Sequence, residues 1–447
     1  MERFVWRTRI ESKTLNSICW RDVRDRSRSC GDGRCNYLQG LLAWLASHSS
    51  DNEMDREGRM NVQESQRIIQ IRSGNEMIAE GALRAGCSFF AGYPITPASG
   101  IYETMMSRLP KHGGGGIAIS APDEISALAY CVGASLRGVK AMTATSGPGW
   151  ALMIETVQYA VMTETPVVIA VVQRLGPSTG GATQGAQGDI LLTEFATSGG
   201  YTIPLFCPSN PLECFELTVL AFSWSERLRT PVILLTDKEI AMTYESVDLG
   251  ELHDLSALER PVFALGDGHG EGIQARFRTY GFNDAQDVPE FSPVGGPWKV
   301  TATGSMHDKS GQLRKNTDES IEVLHHLQRK IADRAEELAL VKSDIERGAP
   351  TVVLSYGVTA RTAHEAVLRA RKDGMKVSWL NVLSLFPVPE KKILSSLDGA
   401  RKVIIPEENL TGQYRSVIQY LLNGREVVGV NRVGRMITPE EILQEVR

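Results

Sequence analysis

Apolar residues follow two patterns along this chain, helical spacing and short continuous runs. Helical spacing across 74–85 is followed by the apolar run 87–91, which predicts a helix and then a buried strand. Ser73 and Glu76 form a candidate capping box at the start of this helix, and Gly86 is a candidate C-terminal cap. The same alternation continues, with a helix near 102–109 and further strands at 117–119, 139–145, 166–172, 201–206 and 231–235.

Strands that alternate with helices of ten or more residues are typical of a mostly parallel sheet covered on both faces. The following stretch, 246–310, is rich in Gly, Pro and Asp and is predicted to be a long linker. Residues 316–347 show helical spacing and predict a helix that ends at Gly348. A second α/β unit follows, with strands predicted at 351–355, 376–380 and 401–405.

The beginning of the chain differs from the rest, because it has no sustained period of 2 or 3.6. We interpret it as an extension produced by a start codon assigned too early, with Met60 or Met54 as the true start; a disordered tail is the alternative. The predicted organisation is therefore an extension, a first α/β domain, a linker with a helix, and a second α/β domain, at 1–60, 61–245, 246–348 and 349–447.

Composition narrows the class of protein. With 447 residues, 42% of them apolar and 23% charged, the chain has the make-up of an ordinary globular protein with two or three domains. A formal charge of −5 gives no reason to expect nucleic acid or anionic lipid as a partner. No apolar run has the length needed to cross a membrane.

The cysteines point to a reducing compartment. The chain has seven, an odd number, without a Cys-x-x-Cys pair, and Cys87, Cys131 and Cys207 lie in or beside apolar segments. Such residues are typical of buried thiols, so we expect a cytoplasmic protein. Any iron–sulfur cluster is then expected on another chain.

One short segment stands out as candidate chemistry. Gly92-Tyr93-Pro94-Ile95-Thr96-Pro97 follows the predicted strand 87–91, and its two prolines fix two φ angles and restrict the residues before them. The Thr96 hydroxyl is therefore presented at a strand exit, where α/β folds usually bind ligands. An ordinary proline-rich turn would have the same composition.

This segment resembles a signature of the α subunits of 2-oxoacid:ferredoxin oxidoreductases, which use thiamine diphosphate and coenzyme A. The similarity extends from about residue 71 to the end of the chain, with matching blocks in the same order at 74–76, 123–127, 143–149, 173–180, 187–189, 229–237, 407–409 and 412–413. The resemblance implies an α/β fold in which a pyrimidine-binding-type thiamine domain with a parallel sheet precedes a transketolase C-terminal-like α/β domain.

The resemblance also implies a role for Glu124. In thiamine enzymes a desolvated glutamate bonds a pyrimidine ring nitrogen and promotes the tautomer that removes the thiazolium proton, so Glu124 is the predicted catalytic residue. Tyr93 and Thr96 are predicted to contact the cofactor with it. The alternative is that Asp123 or Glu124 merely interacts with a helix dipole.

Arg174 follows the predicted strand 166–172 and matches the family's substrate loop. A guanidinium holds a 2-oxoacid carboxylate in a bidentate way, so Arg174, with Thr96 and Thr183, is predicted to bind substrate. A surface salt bridge is the alternative for Arg174. The segment 181–184 is Gly-Ala-Thr-Gln, where the family more often has Leu-Pro-Thr. Loss of the proline is expected to loosen the loop. This region therefore indicates the reaction class more firmly than the substrate.

Three other glycine-containing or acidic motifs are interpreted more simply. The turn 145–149 is taken as a tight structural connection rather than a phosphate site. The motif 407–409 with 412–413 suggests an interface or the edge of a cofactor site. The Gly-Asp-Gly triplets at 31–33 and 266–268 lack the context of a thiamine diphosphate–Mg²⁺ site and are taken as coincidences, so this chain is expected to hold no metal.

An obligate partner follows from that reasoning. A β subunit is expected to hold the diphosphate, Mg²⁺ and a [4Fe–4S] cluster. A separate γ subunit is also expected, with a small ferredoxin-like δ subunit as a further candidate partner and ferredoxin as electron acceptor. The implied reaction is that of the 2-oxoglutarate branch, giving succinyl-CoA and CO₂ from 2-oxoglutarate and coenzyme A. Pyruvate or a branched-chain 2-oxoacid as substrate, and a non-catalytic assembly subunit, are the alternatives.

Overall fold

The computed structural model describes residues 68–252, 257–260, 262–263 and 277–447. The predicted extension and both Gly-Asp-Gly triplets lie outside these residues. No helix within the described ranges is long and apolar enough to cross a membrane.

The strands are short to medium in length. In chain order they are β1 Ile69–Ser73, β2 Phe89–Gly92, β3 Ile117–Ser120, β4 Ala141–Ser146, β5 Val167–Gln173, β6 Leu205–Phe206, β7 Pro231–Asp237, β8 Tyr244–Asp248, β9 Val341–Asp344, β10 Thr351–Ser355, β11 Val377–Val382, β12 Ser384–Phe386, β13 Lys402–Glu407 and β14 Glu426–Asn431.

The α-helices separate most of these strands. In chain order they are α1 Gly74–Arg84, α2 Ser99–Arg108, α3 Glu124–Leu136, α4 Gly147–Met162, α5 Ile190–Glu194, α6 Pro211–Leu228, α7 Lys238–Met242, α8 Asp318–Ala332, α9 Ala335–Leu338, α10 Thr359–Lys372, α11 Glu390–Ser396, α12 Gln413–Val417 and α13 Pro439–Val446. Helix α1 begins with the predicted capping box of Ser73 and Glu76, and Gly86 follows its end with a φ of 81°.

A seven-stranded sheet is formed mainly by the first half of the chain. Its spatial order is β12-β6-β7-β5-β4-β2-β3, and each neighbouring pair is parallel except β12 with β6. Strands β4, β5 and β7 are buried along their whole length, as expected of a parallel sheet with helices on both faces. The prediction of an α/β fold with a parallel sheet is confirmed.

The second half forms a five-stranded sheet with the order β14-β13-β10-β11-β9. Only β9 is antiparallel to its neighbour in this sheet. A shared apolar core joins the two sheets, because the same cluster contains Val171 and Leu235 of the first sheet with Leu354 and Leu380 of the second. The structure places the predicted second α/β unit directly against the first.

The structure corrects several predictions about secondary structure. The helix predicted across 316–347 ends with α8 and the short α9, and residues 341–344 form the edge strand β9 instead. The strand predicted across 201–206 is limited to β6, because Pro204 cannot donate a backbone hydrogen bond. The ribbon of β1 with β8 was not predicted, and β8 extends from residue 244 into the supposed linker, which was predicted to begin at 246.

The described part of the predicted linker is packed rather than free. Tyr280, Phe282 and Phe291 are buried, and helix α8 contributes Lys330 and His326 to a buried charge cluster. Lys330 Nζ lies 2.7 Å and His326 Nε2 lies 3.1 Å from Glu164 Oε2. Burial by itself would raise the pKa of Glu164. The nearby Lys330 and His326 lower it by more than burial raises it, so the net pKa of Glu164 is below its usual range.

Candidate functional site

The candidate site lies at the carboxyl edge of the seven-stranded sheet. Ser146, Gln173 and Asp237 are the last residues of the adjacent strands β4, β5 and β7, and the strand register brings them to the same edge. Ligand sites in open α/β sheets lie at this edge. Each of the segments that follow these strands contributes to the site.

The Thr96 loop follows β2 and is held by two contacts. Asn75, in the first turn of α1, donates from Nδ2 to the Pro97 carbonyl at 2.9 Å. Arg174 donates from Nη1 to the Thr96 carbonyl. The loop also contains a cis peptide bond between Thr96 and Pro97. The structure therefore brings Thr96 and Arg174 together, as the predicted substrate site requires.

Arg174 is a buried residue and not a surface arginine. Its exposed fraction is 6%, and no salt bridge within the described part of the chain uses its guanidinium. Its Nε is buried without a hydrogen-bond partner among the described residues. This geometry excludes the surface salt bridge and leaves the guanidinium able to bind an anion.

Asp123 and Glu124 have different roles at the start of α3. Asp123 is the N-cap, and its carboxylate accepts a hydrogen bond from the Ser126 N–H at 2.7 Å, which lowers the pKa of Asp123. Glu124 is 7% exposed, and its carboxylate has no hydrogen-bond partner among the described residues. Asp123 therefore accounts for the capping of this helix, and Glu124 is buried for another reason.

The first turn of α4 lies between two carboxylates. A Cβ added to Gly149 would lie 2.8 Å from Glu124 Oε1, and one added to Gly147 would lie 2.9 Å from both carboxylate oxygens of Asp189. The turn 145–149 is thus a close-approach connection, in agreement with the structural interpretation of its sequence. Its glycines leave the space that Glu124 and Asp189 occupy.

Tyr93 and Thr183 lie at the periphery of this arrangement. Both are exposed, and within the described structure neither side chain forms a hydrogen bond with Glu124 or Arg174. The loop that contains Thr183 is held by backbone bonds from Leu175 to Gln184 at 2.8 Å and from Gly181 to Leu175 at 2.9 Å. These bonds close the loop although it lacks the family's proline.

Sequence reasoning assigned no role to a buried polar network beneath the site. Gln173 donates from Nε2 to Asp237 Oδ1 at 3.1 Å and accepts from the Asp189 N–H at 3.0 Å. Gln187 donates to Asp237 Oδ2 at 3.3 Å, and burial raises the pKa of Asp237 well above its usual range. These residues all lie in the matching sequence blocks, which was the signal available for finding them.

The network continues into the second α/β unit. The Gln187 N–H donates to the Glu408 carbonyl at 2.8 Å, and the Glu408 N–H donates to Gln187 Oε1 at 3.1 Å. The Val358 N–H donates to Asp237 Oδ2 at 2.6 Å. Burial raises the pKa of Glu408 to about 7. The motif 407–409 therefore lies at the interface between the two sheets, as one of its two interpretations predicted.

Two family models match this chain. The pyruvate flavodoxin/ferredoxin oxidoreductase thiamine diphosphate-binding model matches residues 80–273, and the pyruvate:ferredoxin oxidoreductase core domain II model matches residues 349–442. These matches, together with the parallel sheet and the second α/β unit, define the chain as a subunit with a thiamine diphosphate-binding domain.

Curated relatives match this chain over nearly their whole length, as two examples show. The 2-oxoglutarate synthase subunit KorA of Methanocaldococcus jannaschii is 34% identical over 380 residues, which cover 85% of this chain and 99% of the relative. The subunit of the same name from Methanothermobacter marburgensis is 37% identical over 376 residues, which cover 83% of this chain and 97% of the relative. The chain belongs to the 2-oxoacid:ferredoxin oxidoreductase family, as an α-type subunit, and the enzyme class predicted from sequence is confirmed.

A solved structure gives the same result. The 2-oxoglutarate:ferredoxin oxidoreductase of Magnetococcus marinus, with 2-oxoglutarate, coenzyme A and succinyl-CoA bound, is 30% identical with a TM-score of 0.77. The match covers 85% of this chain and 65% of that chain. The predicted fold class is confirmed across most of the described residues.

The site has features that fit the pyrimidine half of thiamine diphosphate. Glu124 is 7% exposed, its carboxylate makes no hydrogen bond to another described residue, and the Gly149 turn leaves room beside it. The carboxylate oxygens are therefore free to form a hydrogen bond with a bound polar group. A ring nitrogen of the aminopyrimidine can supply that bond.

Proposed function

We propose that this chain is the α subunit of an enzyme that converts 2-oxoglutarate and coenzyme A to succinyl-CoA and CO₂, with two electrons passed reversibly to ferredoxin. The observation that carries this substrate is the near-full-length match to 2-oxoglutarate synthase subunits at 34–37% identity. A ketoisovalerate oxidoreductase subunit from Methanothermobacter thermautotrophicus has a lower sequence identity to this chain, 30% over 382 residues. The ligands named for the Magnetococcus marinus structure support the same choice.

Thiamine diphosphate would supply a carbon nucleophile and an electron sink when bound. We assign to Glu124 the hydrogen bond to the pyrimidine ring nitrogen and the exchange of a proton there. Support comes from its burial and from Gly149, which lets the glutamate stay beside α4. We assign Tyr93 and Thr96, on the loop after β2, to the edge of the same cofactor.

The substrate would be bound by Arg174, with Thr96 and Thr183 as further contacts. The buried guanidinium is held at one end by the Thr96 carbonyl, while its Nε remains without a partner among the described residues. A fixed cation in a buried site can hold a carboxylate in one orientation. This orientation would place the keto carbon near the cofactor.

The partner subunits remain part of the proposal. A β subunit would hold the diphosphate, Mg²⁺ and a [4Fe–4S] cluster, with γ and δ subunits completing a cytoplasmic enzyme. The buried free thiols Cys87, Cys131, Cys207 and Cys214 suit a reducing compartment. For the domain organisation we propose 61–245 and 349–447 as the two α/β domains, joined by 246–348; the second family model, at 349–442, supports the start of the second domain, whereas the first model extends past residue 245 to residue 273.

An apolar surface beside Glu124 suits the β subunit. Helices α3 and α4 expose Ile125, Tyr130 and Leu152 to solvent at 49%, 44% and 51%. Large apolar side chains that are exposed to solvent are candidates for contacts with another chain. Because Ile125 directly follows Glu124, a chain bound here would also cover the cofactor site.

Ile125→Lys tests this surface, with Ile345→Lys as a matched control. Ile345 is 50% exposed and follows β9, away from α3. The first variant should fold but fail to copurify with a coexpressed β subunit, and the control should assemble normally. Normal assembly of Ile125→Lys would rule out this surface.

The activity itself is tested by coexpression with a candidate β subunit and reduction of a viologen dye. We expect coenzyme A-dependent reduction that is fastest with 2-oxoglutarate. A higher rate with pyruvate or a branched-chain 2-oxoacid would assign the substrate differently. An assembled complex that reduces no dye with any 2-oxoacid would identify a non-catalytic assembly subunit.

A further inference from the structure

Asp189 is a partly buried acidic residue of the site to which the proposed reaction gives no role. Its Oδ2 is buried and has no hydrogen-bond partner among the described residues. Asp189 precedes helix α5, but its side chain does not cap that helix. Its backbone is fixed, because its N–H donates to Gln173 Oε1 at 3.0 Å and its carbonyl accepts from the Thr193 hydroxyl at 2.8 Å.

Arg174 lies near Asp189 without bonding it. The charge of Arg174 acts on the Asp189 carboxylate, yet these two described side chains form no direct ion pair. Arg174 Nε is likewise buried without a partner in the described part of the chain. Two buried polar atoms of opposite charge that do not bond each other, here Asp189 Oδ2 and Arg174 Nε, cost free energy unless a third group bonds them.

The surroundings of Asp189 leave Arg174 as the charged group that most affects it. On the side of α4 the carboxylate meets the backbone of Gly147, and Glu124 lies beyond that turn. Gln173 and Thr193 are neutral, and Glu194 lies at the far end of α5. A carboxylate that binds to Arg174 would therefore introduce a second negative charge close to Asp189.

We propose that Asp189 is a positioning residue that couples binding of the substrate carboxylate to uptake of a proton. When Asp189 is ionised, it offsets the charge of Arg174 and repels the incoming carboxylate. When Asp189 is protonated, Arg174 is free to bind that carboxylate. One proton passes from solvent to Asp189 on binding and forms the carboxyl O–H bond, and no other bond forms or breaks. The proposal rests on the proposed function, since it requires Arg174 to bind substrate.

Electrostatics gives the direction of this coupling. Two carboxylates that share a site cannot both stay ionised at low cost, so one of them takes up a proton. Burial has already raised the pKa of Asp189 to about 6, against the lowering effect of Arg174. Asp189 is thus mostly ionised near neutral pH in the free enzyme, and it is the group that becomes protonated when substrate binds.

The test uses the reconstituted complex and glutarate, a dicarboxylate that lacks the keto group and cannot react. Its competitive inhibition constant and the KM for 2-oxoglutarate are measured between pH 6 and 8.5. For the wild type we expect both constants to rise with pH, approaching about tenfold per pH unit for a one-proton linkage. 2-Oxoglutarate is fully ionised across this range and glutarate is almost fully ionised above about pH 6.5, so the slope is taken above that pH, where the ligands' own titration does not contribute.

Asp189→Asn keeps the shape and removes the charge. It should make both constants independent of pH, and at pH 8, about two pH units above the Asp189 pKa, it should bind glutarate about 10²-fold more tightly than the wild type, with a larger change in KM than in kcat. A merely structural role would only weaken binding. Glu194→Gln removes a neighbouring negative charge on the same helix and should keep the wild-type slope.

A wild-type inhibition constant that is independent of pH would overturn the proposal, and so would a slope that persists in Asp189→Asn. If the variant does not fold, calorimetry of glutarate binding to the wild type in buffers of different ionisation enthalpy decides. Uptake of close to one proton at pH 8 supports the coupling, and uptake of none overturns it. Absence of 2-oxoacid-dependent dye reduction would overturn the proposed function, whereas normal reduction with a flat pH profile overturns this inference alone.

Discussion

Gly149→Ala tests whether the turn before α4 sets the position of Glu124. The added Cβ would lie 2.1 Å from Thr145 Oγ1 and 2.5 Å from Glu124 Cγ. Both distances are well below an ordinary contact, so the glutamate has to move. A rotation of the Glu124 carboxylate alone cannot relieve the clash, because the atom in contact is Cγ, which lies close to the backbone of α3.

The expected loss of stability is modest, whereas the loss of activity is large. Overpacking costs about 1–3 kcal/mol, and alanine in a helix recovers up to about 1 kcal/mol over glycine. We therefore expect a net loss of about 0–2 kcal/mol in the free energy of unfolding. A displacement of a catalytic group by about 1 Å can reduce the rate by about 10²-fold, so kcat should fall by that order.

Gly133→Ala is the matched control for stability. Gly133 lies in α3, and a Cβ there meets nothing within 4 Å. This variant should therefore gain about 0.5–1 kcal/mol. Urea unfolding of both variants and dye reduction by the Gly149→Ala complex are the measurements. If Gly149→Ala is as stable as Gly133→Ala and keeps the wild-type rate, Glu124 does not lie against this turn.

Three further variants probe the substrate site, the packed linker and the interface between the sheets. Arg174→Ala should mainly raise the KM for the 2-oxoacid and lower kcat/KM by roughly 2–4 kcal/mol, as steady-state kinetics would show; an unchanged KM would refute its role. Lys330→Met should cost about 3–5 kcal/mol in urea unfolding, because it leaves the Glu164 carboxylate buried without its ammonium partner; a neutral effect would mean that Glu164 is not charged. Burial raises the pKa of Glu408 to about 7 in the folded chain, above its unfolded value. The folded state therefore binds a proton more tightly than the unfolded state, and the free energy of unfolding should fall as the pH rises toward 7. Glu408→Gln should reduce this decline in a pH series of thermal unfolding, and an unchanged slope would assign it to other groups.

The central strands could be predicted from the sequence, and most edge strands could not. Strands β4, β5 and β7 are buried on both faces and therefore appear as continuous apolar runs. Strand β9 is only partly buried and shows no such run, so its segment was mistaken for the end of a helix. Strand β12 has three residues and belongs to a sheet formed by a distant part of the chain.

The roles at the start of α3 show what local sequence leaves open. Either Asp123 or Glu124 could interact with the helix terminus when only spacing is known. The structure separates them, because Asp123 accepts the capping hydrogen bond while Glu124 is buried beside Gly149. The sequence predicted the correct pair of residues, and only the tertiary packing distinguished them.

The proximity of Arg174 to Asp189 could not have been predicted from the sequence. The two residues are separated by a loop of irregular backbone, and no local periodicity indicates which way either side chain points. Their proximity depends on Gln173, which bonds both Asp237 and the backbone of Asp189. Such contacts between segments are fixed by the closed fold.

The most direct test of the account is hydrogen–deuterium exchange at the thiazolium carbon of thiamine diphosphate in the assembled complex. Glu124→Gln keeps the size of the side chain but cannot exchange the proton, so exchange should slow and kcat should fall by about 10²-fold or more, with little change in KM. Arg174→Ala should exchange at close to the wild-type rate. Exchange at the wild-type rate in Glu124→Gln would contradict the assignment and leave Glu124 as a carboxylate without a catalytic role.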